Sequence, residues 1–188
     1  METGNRDKKR SPQKELLEWI IAISLAVVLA LAIHTWVGQL VIVEGPSMEA
    51  TLVSDEKVLI GKPEYYFNGP KRGDIVLVRF PDSTENFIKR VIAVGGETIS
   101  LNDGVVYING KALKEPYVAD PARYAMEEVT VPPGFIFVMG DNRNDSTDSH
   151  MPGVGPIPLE YVLGRAYCIV WPPDRINKLT EYMGKLEQ

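Results

Sequence analysis

The sequence predicts an all-β domain carried behind one N-terminal membrane-spanning helix, and three observations predict it. The stretch Trp19 to Val43, WIIAISLAVVLALAIHTWVGQLVIV, contains no Asp, Glu, Lys or Arg. An uncharged run of that length reads as a bilayer span rather than a core helix. After residue 40 the helical period vanishes, and short runs rich in Val, Ile, Phe and Tyr alternate with Gly, Pro, Asn and Asp. Between ETISL and VVYI stands Asn102-Asp103-Gly104, a hairpin signal because these residues tolerate positive φ.

Taken in order, residues 1–17 are a basic leader. Arg6, Lys8, Lys9, Arg10 and Lys14 favour a cytoplasmic N-terminus by the positive-inside tendency. Residues 18–38 are the expected anchor. Trp19 and Trp36, roughly 26 Å apart at a helical rise, mark its two interfaces. Ala30-Leu31-Ala32 is an A-x-A pattern, so a removable signal peptide is the alternative. The apolar run continues past it with no polar region before a cut, which favours a retained anchor. Residues 39–188 then form an extracytoplasmic β-rich domain. Strands are expected at LVIVE, KVLIGK, DIVLVRF, NFIKRVIAV, ETISL, VVYING, FIFVMG and RAYCIVW. Longer loops fall at residues 62–73 and 111–134, the second an insertion or a flap. The tail INKLTEYMGKLEQ reads as a short amphipathic helix or a frayed end.

Composition narrows the chemistry. The chain has 188 residues, 45% of them hydrophobic, and a net charge of −5, which suits one folded domain with appendages. No basic run is long enough to track phosphates, so nucleic acid is not an expected partner. Cys168 stands alone, cannot form an internal disulfide, and reads as a core thiol. The only histidines are His34 and His150, and only His150 follows the span. A Ser-His-Asp triad therefore has little room.

Ser47, in EGPSMEATL, is open to three readings: a turn, a helix cap or a nucleophile. A serine can be activated by a lysine whose pKa is lowered by burial until the neutral amine accepts a proton. Lys89 is the lysine in the most apolar setting. In NFIKRVIAVGG, alternation puts Phe87, Lys89, Val91 and Ala93 on one face and Ile88, Arg90, Ile92 and Val94 on the other. A desolvated lysine and a snorkelling edge-strand lysine both fit that pattern. Arg90 points to an acid partner or to solvent. The polar cluster Met139 to His150, MGDNRNDSTDSH, follows an apolar strand directly. It reads as a solvated loop of Asx-turns, as part of a site, or as oxygen ligands for calcium at Asp141, Asp145 and Asp148, without EF-hand spacing. The triplet Arg72-Gly73-Asp74 reads as a turn entering a strand.

In this order, a span, GPSMEATL, RGDIVLV, FIKRVIAVGGE and GDNRNDSTDSH, over about residues 16 to 171, resemble the bacterial type I signal peptidases, especially the small single-span Gram-positive forms. The resemblance implies the β-fold shared by signal peptidases and self-cleaving repressors, and a serine endopeptidase with a Ser/Lys dyad and no cofactor or metal. It matches Ser47 to the nucleophile, Lys89 to the general base, and Ser146 to a serine that orients the lysine. Asp148 matches an acid that supports the site through a basic residue, usually an arginine at the place of His150. Gly45 stands where Gram-negative enzymes put a serine that helps the oxyanion hole, which then leans on the Ser47 backbone N–H. Expected partners are signal-peptide-bearing preproteins, the lipid bilayer of the cell membrane and the secretion machinery. Shallow pockets built by Val43, Met48, Leu52, Phe87 and Ile88 would accept only small residues, in keeping with A-x-A cleavage. Two rivals stand beside this reading: another Ser/Lys self-processing peptidase, and a non-catalytic membrane-anchored β-domain that binds exported proteins.

Overall fold

Pro12 opens helix α1, Pro12–Trp36, where a residue without an N–H costs the helix nothing. In this computed structural model the described residues are 12–36, 38–61, 69–81, 83–176 and 179. The chain divides into two compact units, Met1–Val37 and Gly38–Gln188. Within α1 the side chains are described as far as Leu29. Lys14, Glu15 and Glu18 charge its first two turns, while Trp19, Ile20, Ile21, Ile23, Leu25, Val27, Val28 and Leu29 all stand exposed. Among the described residues no helix is long and apolar enough to cross a membrane. Residues 1–11 of the expected 1–17 leader, 62–68 of the 62–73 loop and the tail from residue 177 on apart from Leu179, together with the side chains of α1 from residue 30 on, including His34, lie outside the described residues.

Among its described residues the second unit contains eleven strands: β1 Gln39–Ile42, β2 Lys57–Gly61, β3 Ile75–Arg79, β4 Asn86–Val94, β5 Thr98–Asn102, β6 Val105–Ile108, β7 Lys111–Ala112, β8 Met126–Thr130, β9 Phe135–Met139, β10 Ile157–Pro158 and β11 Val162–Trp171. They form a seven-stranded sheet, β1-β2-β11-β3-β4-β9-β10, and a four-stranded sheet, β7-β6-β5-β8. All pairs are antiparallel. The β5–β6 hairpin closes on Asp103 (φ 51°) and Gly104 (φ 77°), the two left-handed residues that a tight type I′ turn demands. Arg72-Gly73-Asp74 is a turn into β3, with Asp74 accepting the Lys71 N–H at 2.8 Å.

The 111–134 segment carries β7 and β8 and joins the smaller sheet. Strand β8, MEEVT, shows little apolar alternation because it pairs only with β5 and leaves Glu127 and Glu128 exposed. Tyr117 and Ala122 of the same segment are buried with Ile99, Leu101 and Val106. Simple alternation fails at one point in β4. The register slips between Val91 and Ala93, so Ile92 and Ala93 both join the cluster under the small sheet while Val91 joins another. Cys168 on β11 is free and half-buried.

Candidate active site

Ser47 stands in a turn that leaves the end of β1. Gly45 has φ 83°, a left-handed conformation that a side chain would strain. Pro46 fixes the next residue. Its carbonyl accepts the Glu49 N–H at 2.9 Å, and the Met48 carbonyl accepts the Leu52 N–H at 2.8 Å. Met48 and Leu52 point inward and are fully buried beside Val43, which leaves Ser47 half-exposed between them and solvent.

Lys89 comes from β4 and is 2% exposed. Loss of hydration lowers its pKa from 10.5 to about 8, against the opposing pull of Asp148, Asp141 and Asp145. Its Nζ donates to Ser146 Oγ at 3.0 Å, and Ser146 Oγ in turn donates to Asp148 Oδ2 at 2.6 Å. A hydroxyl has one proton to give. With that proton committed to Asp148, Ser146 is an acceptor for Lys89, which fixes one N–H of the amine.

Asp148 is fully buried and fully engaged. It accepts the Gly140 N–H at 2.8 Å, the His150 N–H at 3.2 Å and His150 Nδ1 at 2.6 Å. Burial alone would raise its pKa. The hydrogen bonds from His150, Ser146 and the Gly140 N–H outweigh it and hold the carboxyl below its ordinary value. His150, at the position where the resembled family usually carries an arginine, is thus a partner of Asp148. It is itself held by Tyr124, whose ring stacks on the imidazole at 4.3 Å.

Two contacts bring the Ser47 turn against this relay. Asn142 donates its backbone N–H to the Ser47 carbonyl at 3.1 Å and its side-chain amide to the Pro46 carbonyl at 3.3 Å. Gly140 lies between the two parts. A Cβ built there would stand 2.3 Å from both the Ser47 carbonyl oxygen and Ser146 Oγ, so only glycine lets them come this close. Among the described residues no hydrogen bond joins Ser47 to Lys89 directly. Arg90 takes the other face of β4: its guanidinium grips Asp141 with Nε at 2.8 Å and Nη2 at 2.7 Å, and lies 3.9 Å from the Tyr117 ring centre. Thr51, from the Ser47 turn, donates to the same Asp141 at 2.5 Å. Asp141 and Asp148 are therefore engaged in separate networks while Asp145 is exposed. Among the described residues no carboxylate, histidine or cysteine cluster could hold a metal.

A cleft opens beside Ser47, lined by Val41, Ile42, Val43, Glu44, Met48, Asn86, Phe87 and Ile88. Val43, Met48, Phe87 and Ile88 thus lie together at its wall, whereas Leu52 sits in the core beneath the turn. Sequence reasoning placed Gly140 and Asn142 in the polar cluster without giving either a role, and missed Thr51 and Tyr124, which carry no signal in the sequence.

The signal peptidase, peptidase S26, family model matches residues 16–171. A signal peptidase I of Leptolyngbya laminosa is 40% identical over 94% of this chain and 88% of its own length. A signal peptidase I of Bacillus licheniformis is 36% identical over 92% of this chain and 97% of its own. A solved signal peptidase I of Enterococcus faecalis V583 shares 33% identity over 51% of this chain and 95% of that one, with a TM-score of 0.46. With the family match covering most of its length, the chain belongs to the signal peptidase S26 family.

Proposed function

We propose that this protein is a membrane-bound endopeptidase that removes signal peptides from exported preproteins, with Ser47 as nucleophile and Lys89 as general base. The observation that carries the mechanism is the state of Lys89, a buried amine with a pKa near 8 whose hydrogen-bond partner is a hydroxyl instead of a carboxylate. Neutral Lys89 takes the Ser47 proton as Oγ attacks the scissile carbonyl carbon. The resulting ammonium gives that proton to the leaving amine as the C–N bond breaks, which leaves an ester on Ser47. Water then attacks the ester, Lys89 takes its proton, and Ser47 Oγ leaves as a hydroxyl. Ser146 holds the amine in register, and Asp148 with His150 holds Ser146. The oxyanion leans on the Ser47 backbone N–H, because Gly45 offers no hydroxyl.

Substrate binding follows from unpaired strand edges. Among the described residues β1 pairs only with β2, and residues 86–89 of β4 pair only with β3 because β9 begins its pairing at Arg90. Both edges border the cleft that holds Ser47. An extended peptide entering there gains backbone hydrogen bonds, and its alternate side chains meet Val43, Met48, Phe87 and Ile88. Such shallow walls favour small residues, the A-x-A pattern of exported precursors. The uncharged run from Trp19 to Val43 supports a single-pass anchor in the cell membrane. The N-terminus is then cytoplasmic and the β domain lies outside, near the secretion machinery.

Incubating a lipid- or detergent-supported preparation with a signal-peptide-bearing precursor tests this. Cleavage after a small residue is expected, with the new N-terminus found by sequencing and the product lost in Ser47→Ala. An uncut precursor that still binds would instead favour a non-catalytic binding domain.

A further inference from the structure

Beyond residue 171, where the family match ends, the chain returns to the Ser47 turn. After β11 a short 3-10 turn, Pro173–Arg175, delivers the Arg175 guanidinium. Its Nη2 donates to the Thr51 carbonyl at 3.0 Å, and its Nε donates to Glu56 Oε1 at 2.7 Å. The second oxygen of Glu56 accepts the Val53 N–H at 3.0 Å. Thr51 and Glu56 are both buried, so water competes poorly for these bonds. Leu179, fully buried, joins the same core cluster as Val43, Met48 and Leu52.

The turn needs such support. Ala50 (φ 82°) and Asp55 (φ 70°) are both held in the left-handed region without being glycine, a conformation that persists only when surrounding structure imposes it. Thr51 is tied at two points: its hydroxyl to Asp141, which Arg90 grips next to Lys89, and its carbonyl to Arg175. The first tie references the turn to the strand that carries the base. The second stops the turn from pivoting about the first.

We infer that the turn Pro173–Arg175 clamps the nucleophile turn, with Arg175 a positioning residue that sets Ser47 against Lys89 through the Thr51 carbonyl and Glu56. The inference rests on the reading of Ser47 as nucleophile. Arg175 bonds to Thr51 and Glu56, neither of which lines the cleft, so its loss affects the attack itself rather than peptide binding there or the protonation of the base.

The test compares wild type, Ser47→Ala, Arg175→Ala and Arg175→Lys as full-length chains in detergent, on one precursor. In Arg175→Ala, kcat is expected to fall roughly 10- to 100-fold, the cost of a small misplacement of a reacting group, with KM held. The pH at which the rate rises stays where it is in the wild type. Millimolar guanidinium chloride restores part of the loss, sodium chloride at the same strength does not, and Arg175→Lys falls between the two. Wild-type kcat in Arg175→Ala overturns the inference. So does a loss that guanidinium does not reverse and that tracks the fraction of folded protein in thermal melts. Cleavage that survives Ser47→Ala strikes the nucleophile reading instead, whatever Arg175→Ala does.

Discussion

Lys89 and Arg90 are neighbours on β4, both withdrawn from water, and the two faces of that strand treat them in opposite ways. Arg90 receives a bidentate carboxylate from Asp141, the carbonyl of Gly73 at 3.1 Å and the face of Tyr117. Among the described residues Lys89 receives a single hydroxyl. The carboxylate that pulls on it most, Asp148, is separated from it by Ser146 and spends its remaining capacity on Gly140 and His150. The Arg90 guanidinium ties three segments together. At Lys89 desolvation is opposed only in part, which leaves an amine poised to lose its proton. In the proposed mechanism the base is made by withholding a counter-ion.

The sharpest way to break this comparison is to remove one partner from each face. Lys89→Met should lower kcat/KM by roughly 10²- to 10⁴-fold, the range for losing a general base, while leaving the folded state intact. Asp141→Ala takes the carboxylate away from a buried guanidinium, and should cost about 3–5 kcal/mol of stability in denaturant titration. If Asp141→Ala melts like the wild type, Arg90 is not the structural tie described here.

The stability curves should differ in shape as well. The folded pKa of Lys89, about 8, lies below its ordinary 10.5, so between those values the unfolded chain binds more protons than the folded one. Stability contributed at this site therefore rises as pH goes from about 8 to 10.5, by on the order of 3 kcal/mol. Lys89→Met should lose that rise, and the difference between the two alkaline melting series measures it.

Ser146→Ala ranks next. It leaves the amine buried but unaligned, and removes one donor from Asp148. A loss of roughly 10- to 100-fold in kcat with little change in KM is expected; wild-type rates would show that Ser146 only fills the loop. The smallest effect belongs to His150→Ala. Asp148 has a depressed folded pKa, so its contribution is present above the ordinary carboxyl value near 3.8 and is lost as pH falls through the lower folded value. Removing His150 takes away the first-named of the hydrogen bonds that depress it. The acid melting transition should move to higher pH, whereas His150→Arg should restore it.

The legible parts of this molecule were those whose reasons are local. The expected strands from LVIVE to RAYCIVW all appear, because each carries its own apolar run between turn residues, and Asn102-Asp103-Gly104 closes a two-residue hairpin through the φ values its residues tolerate. Strand β8 was hidden because an edge strand buried on one face needs few apolar residues. At the site, Ser47 and Lys89 stand out through their neighbours and through a family resemblance. Thr51, Asn142 and Arg175 do not, since each acts on a partner about 90 or more positions away in the chain. Tyr124 falls within a stretch that looks like a plain loop, and only the fold brings it against His150. The bulge at Ile92 shows the same limit on a smaller scale, because alternation cannot foresee a register slip.

The central claim, that an amine denied a carboxylate serves as the base, is tested most directly by the pH dependence of kcat/KM for precursor cleavage by the wild-type protein. The account predicts a rate that rises with pH and levels off through an apparent pKa near 8. A rate that shows no such limb below about 10.4, the ordinary lysine value, would contradict it.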